Sequence, residues 1–125
     1  MPWTCRLVAM PTTEDKQTPG VLYYAPWYRQ SGRLSAQYSR DWAHLRDPIM
    51  LVIPSYGTIC VDSAYYPETP GHDGWTVTGT APTITVHPSL GIGQDMNGRW
   101  IYHGWLKDGV LSDPLPDSAM LARAR

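Results

Sequence analysis

Apolar positions in this chain fall mostly into short runs that are continuous or repeat every second residue, the signature of strands; one segment alone carries a helical period. Trp3 to Met10 alternates loosely and predicts a first strand, followed by a polar turn from Pro11 to Pro19. Gly20 then releases Val21-Leu22-Tyr23-Tyr24-Ala25, a β-branched and aromatic run closed by Pro26. Between Leu34 and Arg46 the period changes: Leu34, Tyr38, Trp42 and Leu45 recur at helical spacing among polar residues. A helix is expected over 34–46, ending before Pro48 because the residue preceding a proline is pushed out of the α region.

Ile49 to Ile53 is a continuous apolar run of strand length, joined by Pro54-Ser55-Tyr56-Gly57 to Thr58-Ile59-Cys60-Val61. This predicts a hairpin at the centre of the core. A Pro- and Gly-rich connection follows from Pro67 to Gly74, with His72 and Asp73 at its tip. Trp75 to Thr78 and Thr83 to Val86 alternate Thr with Val and predict a second hairpin, its Thr face in water and its end at Pro88. After a glycine-rich stretch from Gly91 to Gly98, Arg99 to Leu106 and Val110-Leu111 flank Lys107-Asp108-Gly109, a third hairpin around an Asp-Gly turn.

Together these elements predict an α+β fold dominated by antiparallel β hairpins, arranged as one sheet or a small barrel-like sandwich with the single helix near residues 34–46. The 125 residues suffice for one core. Residues 1–112 are expected to form the domain, and 113–125 a loosely packed tail with a short final helical turn.

Charge narrows the partners. The formal net charge is −1, which supplies no broad field for phosphate backbones or anionic membranes. No apolar run approaches the roughly 20 residues that a membrane helix needs, and no basic segment followed by an apolar stretch opens the chain. A soluble protein of the cytoplasm is expected, with Cys5 and Cys60 as reduced thiols. The 6 Trp and 8 Tyr stand without a single Phe. Rings with a polar handle suit half-wet walls and interfaces as well as cores, so both uses stay open.

No motif here carries a mechanism. Gly91-Ile92-Gly93 lacks the third glycine and the helix of a dinucleotide-binding turn. No Gly-x-Ser-x-Gly elbow occurs, since Ser89 sits in Pro88-Ser89-Leu90-Gly91. Ser89, His103 and Asp108 assemble into a triad on paper, but any chain with 4 His offers such triples. Cys60, His72, His87 and His103 could converge on a metal, yet their spacing matches no zinc finger or ribbon. No cofactor and no metal are therefore expected. The aromatic surface remains. Alternation places Trp100 and Tyr102 on one strand face and His103 and Trp105 on the other. The candidate binding residues are His72, Asp73, Trp75, Trp100, His103, Trp105 and Asp108.

Four places, Pro19 to Tyr23, Leu34 to Arg46, Pro54 to Gly57 with Asp62, and the C-terminal half, resemble a group of small bacteriophage and prophage proteins of unknown function, often labelled ammonia monooxygenase. The C-terminal half is the most specific part: Gly74 to Gly79, Pro88-Ser89-Leu90, and His103 through Leu111. Some members of that group carry cysteines that look like a zinc site, one of them three residues before the histidine matching His103; Trp100 stands there in this chain. The resemblance implies a phage accessory gene and no mechanism. The leading expectation is a non-enzymatic accessory protein that binds a host protein or a defence-related component, including a nucleotide-like signal, and so inhibits host antiviral defence. A virion or assembly component, self-associating as an oligomer, is the second reading, and a metal-dependent protein built on Cys60, His72, His87 and His103 the third.

Overall fold

A computed structural model of the chain describes residues 1–25, 47–62 and 75–120. Its elements are β1 (Trp3–Thr4), β2 (Arg6–Leu7), a 3₁₀ turn (Asp15–Gln17), β3 (Val21–Tyr24), β4 (Ile49–Ile53), β5 (Gly57–Cys60), β6 (Thr76–Thr78), β7 (Thr85–Gln94), β8 (Trp100–Lys107) and β9 (Val110–Leu111). They form two sheets, one of five strands in the order β1-β9-β8-β7-β6 and one of four in the order β2-β3-β4-β5. All pairs are antiparallel except β2 with β3. The fold is thus β-rich, with two sheets facing each other and, among the described residues, no closed barrel. The helix expected over 34–46 lies outside the described residues.

Both sheets contribute to one core. Leu22, Ile49, Leu51 and Ile53 from the four-stranded sheet meet Val86, Leu90, Ile92, Tyr102, Leu106 and Leu111 from the other. Each fully buried aliphatic side chain here is worth roughly 1.5–3 kcal/mol of transfer free energy. The run Ile49–Ile53 occupies an inner position between β3 and β5, as its unbroken apolar character requires. Its odd residues face the shared core, and Val52 packs on the opposite face with Val21 and Tyr23. The buried Asp62 carboxylate accepts the Ile49 N–H at 2.6 Å, which fixes the start of the strand.

Two strand expectations need correction. The first strand is not continuous from Trp3 to Met10. It divides at Cys5: β1 pairs with β9 in one sheet, and β2 pairs with β3 in the other. The cause is local. Cys5 is buried and its N–H donates to the Gly109 carbonyl at 2.7 Å, so the chain turns its side chain into the core where it passes between layers. Burial pushes the Cys5 thiol up to about 11.

The second strand of the Thr/Val hairpin likewise does not end at Pro88. β7 continues to Gln94, with a register shift between Val86 and Leu90 that holds Pro88. At a bulge the ladder needs no N–H from that residue, so proline is accommodated. The stretch read as a glycine-rich connection therefore supplies Gly91 and Gly93 to a strand, and the turn shrinks to the residues around Asp95, whose carboxylate accepts the N–H groups of Asn97 and Arg99. The Asp-Gly turn forms as the sequence predicts. Lys107 pairs with Val110, and Asp108 and Gly109 both have positive φ, 48° and 77°.

After β9 the chain takes over as the flank of β8. Ser112 N–H donates to the Trp105 carbonyl, Leu115 N–H to the His103 carbonyl and the Ser118 hydroxyl to the Ile101 carbonyl. Ser118 and Ala119 are buried, so residues 113–120 are held on the sheet, and 121–125 lie outside the described residues.

Candidate functional site

The outer face of the five-stranded sheet follows from strand alternation. Tyr102, Gly104 and Leu106 of β8 turn inward, which leaves Ile101, His103 and Trp105 pointing out. On β7 Leu90 and Ile92 are inward, so Ser89 and Gly91 share the face of His103. Gly91 pairs directly with His103, and Ser89 stands diagonally across from it.

That diagonal is bridged. The Ser89 hydroxyl lies 3.1 Å from His103 Nε2. On the other side of the ring, both carboxylate oxygens of Asp117 lie 2.9 Å from Nδ1. Asp117 arrives there because the segment after β9 runs along β8 and is tied by Leu115 and Ser118 on either side of it. An ionised carboxylate only accepts, so Nδ1 carries the proton that faces Asp117. In the neutral ring Nε2 is then the acceptor, and the Ser89 hydroxyl donates to it. The arrangement is a Ser–His–Asp relay with the polarity that a general base needs.

Two tryptophans hold this site from its sides. Trp75 Nε1–H donates to the Ser89 carbonyl at 3.1 Å and anchors the backbone that carries the hydroxyl. The Trp100 indole lies over Gly91, where a Cβ would stand 3.1 Å from its ring atoms. Its centroid is 6.3 Å from that of His103. Strict alternation assigned Trp100 to the face of Tyr102. At the end of β8, the empty space above Gly91 accepts the indole instead and brings it to the His103 side.

Two other expected site residues, Trp105 and Asp108, line a cleft of their own. Trp105 is 49% exposed and borders an open cleft of about 710 Å³, with Pro2, Val110, Pro114 and Leu115 as its apolar wall and Lys107 at its rim. Asp108 lines the same cleft and also serves the turn, where its N–H donates to the Thr85 hydroxyl at 2.9 Å. His72 and Asp73 lie outside the described residues. Of the residues considered for a metal, His72 is likewise outside, Cys60 belongs to β5 in the other sheet, His87 is exposed on β7, and His103 is engaged by Ser89 and Asp117. Among the described residues, no group of three or more His, Cys, Asp or Glu is placed to hold a metal ion.

Sequence reasoning set Ser89 aside and missed Asp117. Each lies 14 residues from His103, a spacing that belongs to no motif. Only the course of the chain after β9 brings the carboxylate in. Comparison of the chain with protein-family models, curated proteins and solved structures finds no match. Among the described residues no helix is long and apolar enough to cross a membrane.

Proposed function

We propose that this protein acts by binding a protein partner on the outer face of its five-stranded sheet, with Trp105 as the anchor. The observation that carries this reading is the exposure of that ring beside an open apolar cleft. Its neighbours Val110, Pro114 and Leu115 extend the apolar surface, while Lys107 and Asp113 supply a charged rim. A large flat ring over a cleft with polar edges is the composition of an interaction hot spot. A core role would be served by an aliphatic side chain without leaving so much indole in water.

The resemblance to phage accessory proteins suggests the class of partner: a host protein, including a component of antiviral defence, held by occupancy. The test is a photo-crosslinking residue placed at position 105, with a control at Met10, an 86% exposed position on the chain beyond β2. In infected cells, the expected result is one discrete adduct from position 105 and none from position 10. Trp105→Ala should lower recovery of the same partner about 30-fold, the loss expected for a hot-spot tryptophan. Equal adducts from both positions, or full recovery by a folded Trp105→Ala protein, would remove the proposed interface. Co-sedimentation with virions would instead support a structural role.

A further inference from the structure

The outer face carries chemistry that occupancy does not use. Ser89 donates to His103 Nε2, His103 is held by the Asp117 carboxylate through Nδ1, and both Ser89 and His103 keep partial contact with solvent. Solvent alone could satisfy a half-exposed serine and a half-exposed histidine. The three groups are aligned in the order, and with the tautomer, that lets an imidazole take a proton from a hydroxyl as the oxygen attacks.

We infer that Ser89 is a nucleophile activated by His103 and positioned through Asp117, and that it takes acyl groups from small uncharged carboxylic esters. The substrate class follows from the surroundings. The Trp100 indole, lying over Gly91, forms an apolar floor on the side of the hydroxyl, and the Asp117 carboxylate disfavours anionic substrates. In the first half-reaction the Ser89 oxygen bonds to the ester carbonyl carbon while its proton passes to Nε2. The tetrahedral species collapses as the carbon–oxygen bond to the alcohol breaks, and the alcohol leaves with the proton from Nε2. Water then attacks the acyl carbon, again losing a proton to Nε2. The Ser89 oxygen leaves, recovers that proton, and the free acid departs.

The experiment uses the purified full chain and needs no partner, so it is independent of the binding reading. The protein is treated with an alkyl fluorophosphonate, the modified residue is mapped by mass spectrometry, and hydrolysis of p-nitrophenyl butyrate is followed in parallel. The expected result is one adduct, on Ser89. Ser89→Ala should abolish the adduct, and His103→Gln should slow labelling at least about 100-fold. Asp117 is a positioning residue, exposed enough that Asp117→Asn should leave the melting temperature in place. That variant should slow labelling at least about 10-fold and change the pH profile, because an amide no longer selects the tautomer that leaves Nε2 free. An unmodified Ser89 in the wild-type chain after prolonged exposure would overturn the inference. So would equal labelling rates in wild-type and folded His103→Gln protein.

Discussion

Trp100 and Gly91 occupy one space between neighbouring strands: the indole lies where a side chain on Gly91 would stand, with its ring atoms 3.1 Å from that Cβ position. The glycine is required by this approach and not by its backbone, since φ at Gly91 is not in the left-handed region. Gly91→Val should therefore expel the indole and destabilise the fold by about 1–3 kcal/mol. Combining it with Trp100→Ala should cost clearly less than the sum of the two single changes. Thermal melts of the four proteins of this cycle check the coupling, and additive losses would show that the two residues do not share the space.

Gly109 is constrained twice. Its φ of 77° strains any Cβ, and a Cβ there would stand 2.7 Å from the Pro82 carbonyl oxygen, a backbone atom with no room to move aside. Gly109→Ala is expected to cost at least about 2 kcal/mol. Asn usually tolerates positive φ, but Gly109→Asn should bring no relief, because the clash remains. Denaturant midpoints of the two variants make the comparison.

Leu51 sits on the inner strand β4 with no measurable exposure. Leu51→Asp places a carboxylate among Leu22, Ile49 and Ile53 and should cost more than about 4 kcal/mol, enough to unfold a domain of ordinary stability. Loss of the cooperative melting transition is the expected readout, and a soluble variant with unchanged melting would contradict the inner placement.

Alkali should destabilise the protein through two buried groups. Burial raises the Tyr102 phenol from 10.0 to about 12, and the Cys5 thiol from 9.0 to about 11. Both groups are neutral in the fold while the unfolded chain ionises them, so the folded state binds more protons and stability falls as pH rises. The contribution is complete below about pH 9 and is lost progressively between pH 9 and 12. Tyr102→Phe should flatten the upper part of that decline. At neutral pH the same change should cost about 1 kcal/mol, since the phenol donates to the Ser112 carbonyl at 2.8 Å. Melting temperatures measured from pH 7 to 12 on both proteins separate the two effects.

The parts of the fold that were legible in the sequence are those where local chemistry leaves one choice. Five consecutive apolar residues at Ile49–Ile53 demand burial on both sides of a strand, and Asp108-Gly109 between strand patterns demands a tight hairpin. Other features depended on distant partners. Nothing within Trp3 to Leu7 marks Cys5 as the crossing between layers; it becomes one because Gly109 and β3 hold the two sides apart. Pro88 is a stop signal by its own chemistry and is overruled by the pairing of the ten-residue β7 with β8, which absorbs it in a bulge. The relay at His103 was half visible, with Ser89 and the histidine in view but Asp108 in place of Asp117. Asp117 lies in a stretch of prolines and alanines with no strand pattern, and its position is fixed by backbone bonds to β8 that no periodicity reports.

The split of the first strand at Cys5 also sets an order of events during synthesis. β1 pairs with β9, so Trp3 meets Leu111 only after nearly all the described chain has been made. While the ribosome is still extending the chain, Arg6 and Leu7 can already settle beside Val21 and Leu22, yet the residues just ahead of them have no strand to join. One sheet can begin to assemble early, and the other acquires its edge among the last steps, a long-range closure of the slow kind. Until then the seam between the layers is open at Cys5, whose thiol reaches its full burial only when Gly109 has emerged to accept the bond from its backbone.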